Sequence, residues 1–245
     1  HVITTDIGGV INGSEGQPRH QARSGHRTRL GKARGRLHQR DHRCDRACAS
    51  DIPDLLCFRQ HHGVLHVSQY EQDDVDITGG QFPAPPFRYM AICELSIDGA
   101  EQAGKISAVI HALFEGSDCA AAAATWLYYP VGRPVGILAP DAKMVTLAFA
   151  NGLPGTDDDF REWYVTRHIR HALNIPALTS GQCFERTRYQ RHGAVEPAFQ
   201  IIAVYEQTGS SEAIIEAFGR LAPETIAFPA MDFSRFGEAA YRRTN

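Results

Sequence analysis

The stretch FREWYVTRHIRHALN carries the side chains in this 245-residue chain best spaced to act together. On a helix, Phe160, Tyr164, His168 and His171 fall at i, i+4, i+8 and i+11, along one stripe. The aromatic pair marks that stripe as the face turned toward a sheet, so the pattern predicts His168 in the space between helix and sheet. A histidine near its ordinary pKa of about 6.5 takes or gives a proton at neutral pH. Beside the Tyr164 hydroxyl it would enolise a carbonyl compound or protonate a carbanion. Arg186, on the next extended segment, would pair with a carboxylate or enolate. Each residue also admits a structural role. An inward histidine is often packed against a backbone carbonyl, Trp163 and Tyr164 suit a core or pocket wall, and His171 with Arg167 and Arg170 suits a helix C-terminal half.

The elements that must hold these residues are legible from periodicity. KMVTLAFAN (143–151) reads as a strand and GLPGT as its turn, with Asp157 to Asp159 as capping carboxylates for the helix. Ile175-Pro176 ends that helix. LTSGQCFERTRYQ (178–190) and AFQIIAVYEQ (198–207) follow as strands, SSEAIIEAFGRL (210–221) as a second helix, and FPAMDFSRFG (228–237) as a last extended segment. The order βαββαβ is that of the ferredoxin-like unit.

Half of this order occurs twice. FRYMAICELSI (87–97) and FQIIAVYEQTG (199–209) align Ala91 with Ala203 and Glu94 with Glu206, 112 residues apart. Each leads into a helix with an apolar stripe: Ile106, Val109, Ile110 and Leu113 in the first, Ile214, Ile215, Phe218 and Leu221 in the second. LHVSQYEQ (65–72) and TWLYYPVG (125–132) supply further strands of the first copy. We expect an α+β protein of two ferredoxin-like units, the first incomplete, over residues 63–141 and 142–245. Glu94 and Glu206 end equivalent strands and read as structural.

Residues 1–62 differ in character. The first fifty hold ten Lys and Arg against four Asp and Glu and none of the 22 aromatics, although the whole chain carries a net charge of −3. Such a segment buries little apolar area and is expected to be poorly structured, HVITTDI being a possible short strand. Two other readings are a basic arm for nucleic acid and a zinc site at His38, His42, Cys44 and Cys48, whose spacing matches no common finger. The glycines of DIGGVINGSEG fit neither dinucleotide nor phosphate-loop spacing. The first residue is His rather than Met, so a fragment or processed chain is expected. Six cysteines and no signal-peptide pattern point to free thiols and a cytoplasmic setting. No apolar run reaches a membrane span.

Phe160, Trp163, Tyr164, His168, Ile169, Ile175 and Pro176 reproduce a helix motif, and through it the chain resembles EthD-like proteins of the dimeric α+β barrel superfamily. Ala177 and Leu178 stand where that family has Gly and an aromatic, and PPFRYMAICELS is similar to the mid-chain strand of tandem members. The resemblance implies that the sheets of two units pair into a barrel, within one chain or in a homodimer. It also implies a small-molecule enzyme without a cofactor, acting on an aromatic or polyketide-like carbonyl compound of a catabolic pathway. Decarboxylation, isomerisation, cyclisation and oxygenation all remain open. His168 would be the acid/base and Tyr164 its hydrogen-bond partner. Arg186, Trp163, Phe160 and His171 would contact substrate. The alternative is a non-catalytic binding protein using the same cleft. No membrane or nucleic-acid partner is expected.

Overall fold

The computed structural model describes residues 3–7, 63–85, 87–96, 99–114, 123–139, 142–190, 198–218, 220 and 230–244. Eight strands carry the fold: β1 (Ile3–Ile7), β2 (Val64–Gln72), β3 (Tyr89–Leu95), β4 (Ala123–Gly136), β5 (Met144–Ala150), β6 (Leu178–Arg186), β7 (Ile201–Gln207) and β8 (Gly237–Arg243). All neighbouring pairs are antiparallel, and the strands close into a barrel in the order β1-β3-β2-β8-β5-β7-β6-β4, with β4 returning to β1. In the N-terminal half the order is therefore β4-β1-β3-β2, and in the C-terminal half β8-β5-β7-β6. The halves meet along two seams, β2 on β8 and β4 on β6. The sheet is thus α+β in character and closes within one chain.

Strand alternation separates two cores. Residues of one parity, among them Met90, Trp126, Tyr128, Leu147, Ile202 and Tyr241, fill the barrel interior, joined there by Phe87 and Phe199. Those of the other parity, including Ala148, Cys183, Ala203, Tyr205 and Ala240, lie under the helices of the C-terminal half. The described helices are α1 (Ala100–Phe114), α2 (Asp157–Trp163), α3 (Ile169–Ala172) and α4 (Ser211–Phe218). Among the described residues no helix is long and apolar enough to cross a membrane.

The two segments aligned in sequence become β3 and β7, which begin and end 112 residues apart. One expectation needs correction. The last strand is GEAAYRR (237–243), not FPAMDFSRFG: Asp232 accepts from the Ser234 backbone N–H (3.1 Å) and hydroxyl (2.6 Å), bending 233–235 into a 3-10 turn. Gly, Glu and two alanines give a weak β signal, which the neighbouring aromatics overshadow. Ile3–Ile7, within the stretch read as a possible short strand, form β1 and belong to the barrel, between β3 and β4. Backbone pairing on both sides does not need aromatic side chains. The segment that would hold the opening helix of the first unit, and His38, His42, Cys44 and Cys48, lie outside the described residues.

Two tyrosines tie the halves reciprocally. Tyr128 on β4 donates to the Phe199 carbonyl at 2.9 Å, and Tyr241 on β8 donates to the Phe87 carbonyl at 2.9 Å. Both hydroxyls are buried. Replacing either residue by Phe leaves a buried carbonyl short of a partner, so Tyr128→Phe and Tyr241→Phe are each expected to lower stability by about 1–3 kcal/mol in urea titrations.

Candidate functional site

The helix predicted over 158–174 spans this region but is not uniform. Asp157, Asp158 and Asp159 occupy the first turn of α2, yet no side chain caps it, and Thr156 instead donates to the Leu153 carbonyl at 2.8 Å. The carboxylates act through their charge at the positive end of the helix. Between α2 and α3, Tyr164–His168 form a π-helical turn, in which the Ile169 N–H reaches the Tyr164 carbonyl. That widened turn sets the rotation of His168 relative to Tyr164. Such turns occur often at functional sites.

Phe160 and Tyr164 are fully buried, and His168 is 8% exposed. The aromatic rings crowd the histidine: Tyr164 lies 4.5 Å and Trp163 4.8 Å from it, centroid to centroid. Beneath the helix Gly181 is required on β6, because a Cβ there would sit 2.8 Å from the Tyr205 ring and 3.0 Å from Ile169. Its absence lets the Tyr205 ring lie between sheet and helix.

Against these elements sits a cavity of about 410 Å³, within the ~300–1,000 Å³ usual for small-molecule sites. His168, Tyr205 and Glu238 supply its principal ionisable groups. Apolar side chains supply most of the rest, including Ile77, Phe82, Met231 and Phe236. Among the described lining residues none is Lys or Arg.

Burial sets the charge of this cavity. It raises the Glu238 carboxyl from 4.5 to about 8, so the group is a neutral acid at pH 7 and titrates close to neutrality. Burial first, and then the nearby His171, lower His168 from 6.5 to about 3, so its imidazole is neutral. Its Nδ1 has no hydrogen-bond partner among the described residues, and neither do the Tyr164 and Tyr205 hydroxyls. Those two hydroxyls feel one another electrostatically without reaching hydrogen-bond geometry, and both are held well above 10 by burial. The arrangement therefore offers a proton donor that can also become a base, in the same largely apolar cavity as a neutral imidazole.

The sequence-derived residues fare differently. His168 lines the cavity, but with its proton affinity far below the ordinary value assumed for it. Tyr164, Phe160 and Trp163 support the histidine from behind and are not part of the lining. His171 is half-buried and acts on His168 electrostatically. Arg186 is exposed and shares the strand parity of Phe184, which packs into the barrel interior, so it lies on the other face of β6 from the cavity. It influences Tyr128 instead. Glu206 accepts from Ser180 Oγ (2.6 Å) and the Ala139 N–H (2.5 Å), as befits a structural carboxylate.

Glu238 and Tyr205 escaped the sequence reading. The available signal was a lone carboxylate in GEAAYRR directly before a small apolar pair, a pattern that is informative only once β8 is known to be a strand.

No known protein family and no curated protein matches this sequence. Among solved structures, an anthrone oxidase-like protein aligns over 81% of this chain and 84% of its own, at 11% identity and a TM-score of 0.52. Two proteins described as candidate monooxygenases, from Fusobacterium nucleatum and Lactobacillus acidophilus, align at 10% identity with TM-scores of 0.43 and 0.41. They cover 100% and 99% of this chain and 92% of their own chains. The first likeness is one of fold: this chain has the ferredoxin-like α+β barrel architecture of such proteins.

The two opposite shifts give a definite pH profile. Glu238 is raised on folding, so its contribution is complete below pH 4.5 and is lost as pH rises through about 8. His168 is lowered, so its contribution is complete above pH 6.5 and is lost as pH falls toward 3. The two slopes oppose one another between 4.5 and 6.5. In thermal melts across pH, Glu238→Gln is expected to flatten the alkaline fall of the wild type between pH 6.5 and 9. His168→Asn is expected to flatten the acid fall between pH 4.5 and 3.

Proposed function

We propose that the cavity is the active site of a cofactor-independent enzyme that moves a proton on an aromatic or polyketide-like carbonyl compound. The observation that carries this reading is Glu238: a carboxyl buried in an apolar cavity, with its pKa at about 8, near the operating pH that suits a general acid or base. Glu238 is the proton carrier. Its ionised form takes a proton from carbon or oxygen next to the substrate carbonyl, and its neutral form hands one to the oxygen. Neutral His168 positions the substrate as a hydrogen-bonding partner and accommodates a developing enolate without itself carrying charge. Tyr205 offers a hydroxyl donor from the sheet side. Whether the enolate is reprotonated, closes a ring or captures dioxygen decides the reaction; in a decarboxylation the loss of carbon dioxide would itself form the enolate, and the acid would then protonate it. Likeness in fold to an anthrone oxidase-like protein favours oxygenation of a polycyclic ketone as the first class to assay.

The same reading takes the chain as a tandem, EthD-like protein whose halves are copies. Strand register supports it. Ala91 pairs with Thr5, which pairs with Thr125, just as Ala203 pairs with Ala148, which pairs with Glu238. Thr125 thus takes the place of Glu238 in the first half, and Cys93 that of Tyr205. The acid belongs to the second half alone.

A thermal-shift screen of polycyclic ketones, phenols and quinones tests the reading, followed by turnover under air. A ligand at 100 times its Kd stabilises by about 2.7 kcal/mol, which gives a clear rise in Tm. For a compound that is converted, Glu238→Gln is expected to lower turnover by about 10²–10⁴-fold while leaving ligand binding in place. Binding without conversion would point to a non-catalytic binding protein. Conversion at an unchanged rate by Glu238→Gln would overturn the role given to that residue.

A further inference from the structure

We infer that the loop 76–82, which belongs to the first half of the chain, is the specificity-determining wall of the second half's cavity, with Ile77 and Phe82 setting how many fused rings a ligand has when it fits. This rests on the reading of the cavity as the substrate site. Both residues line the same cavity as His168 and Glu238. Ile77 is 1% exposed although it stands on a loop. Phe82 meets Phe236 edge-on at 4.7 Å and stacks on Phe233 at 6.0 Å, so the loop extends the aromatic wall that those two residues of the second half begin.

The loop is held in shape from within. The Asp76 carboxylate accepts from the Thr78 N–H (2.9 Å), the Thr78 hydroxyl (2.7 Å) and the Gly80 N–H (2.7 Å). These bonds hold the Asp76 carboxyl below its ordinary value. Gly79 and Gly80 take φ of +62° and +80°, a region that side chains with a Cβ rarely adopt. Its base is fixed to the elements that build the site. The Asp73 N–H donates to the Ala240 carbonyl at 2.8 Å, two residues beyond Glu238 on β8. The Asp73 carboxylate accepts from Ser211 Oγ at 2.6 Å and from Arg242 at 3.1 Å. Ser211 opens α4, whose Ile215 and Phe218 also line the cavity. The wall is therefore registered to the strand that carries the acid, and its distance from Glu238 is set by main-chain pairing.

Ile77 and Phe82 contribute shape alone. In apolar pockets a single methylene discriminates between ligands by about 10–200-fold, so truncating either residue alters size preference more than affinity as a whole. The experiment measures Kd by calorimetry for 2-naphthol, 2-hydroxyanthracene and 1-hydroxypyrene at pH 6.5, for the wild type, Ile77→Ala, Phe82→Leu and Phe82→Ala. Leu65→Ala, at an exposed position on β2, serves as the control. The expected result is a shift of the two-ring to four-ring Kd ratio by about tenfold toward the larger ring in Phe82→Ala and Ile77→Ala. A smaller shift in Phe82→Leu and none in Leu65→Ala would accompany it. Should Phe82→Ala fail to fold, Phe82→Leu and Ile77→Ala carry the comparison. An unchanged rank order of the three phenols in every folded variant overturns the wall while leaving the cavity as a binding site. No binding of any phenol to any variant overturns both.

Discussion

Everything described depends on closure of one antiparallel sheet onto itself. A four-stranded ferredoxin-like sheet has two open edges and one face without helices, and both must be covered. Here β2 takes β8 and β4 takes β6, and the uncovered faces of the two halves become a single packed interior. The interior is filled by aromatic side chains from both halves, among them Phe87 in edge-to-face contact with Trp126, Phe149 and Phe199. The lumen is packed among the described residues, and the cavity described lies on the outer side, between sheet and helix. That constraint places the cavity against β7, β8 and the π-helical turn.

The polar groups of the cavity follow from the same geometry. Alternation along β8 turns Glu238 to the outer face and Tyr241 to the interior, so one strand supplies both an acid for the site and a bond between the halves. Burial then does to Glu238 and His168 what it does to any ionisable group, favouring the uncharged form of each. The outcome is a cavity without formal charge near neutrality but with labile protons within it. It differs from an arrangement in which an imidazolium and an arginine would face an anion.

Much of this was legible in the sequence wherever information is local. Apolar periodicity located β2, β3, β5, β6 and β7 and the helix bearing Phe160, Tyr164 and His168, and the shared Ala and Glu at 91/94 and 203/206 fall on β3 and β7. The residues that were missed depend on distant neighbours. Glu238 matters because β8 lies beside β5, an adjacency that no local pattern encodes. Arg186 falls on the face of β6 away from the cavity because strand phase near its end is fixed by the pairing of Cys183 with Ala203, which a run such as QCFERTR does not display. The proton affinity of His168 depends on how completely Trp163, Tyr164 and the sheet enclose it, and the wall from residues 76–82 comes from the other half altogether. Residues 3–7, read as a possible short strand, pair through their backbones on both sides.

The reciprocal bonds of Tyr128 and Tyr241 are those of a two-fold symmetric dimer interface, in which each partner offers the same donor to the same acceptor. In this chain residues 137–143 join β4 to β5 and make the partnership intramolecular. A barrel assembled from two separate chains falls apart on dilution, and a cavity walled by both chains goes with it. Here the partner is always present at the effective concentration set by a short connector. The site therefore stays complete however scarce the protein is.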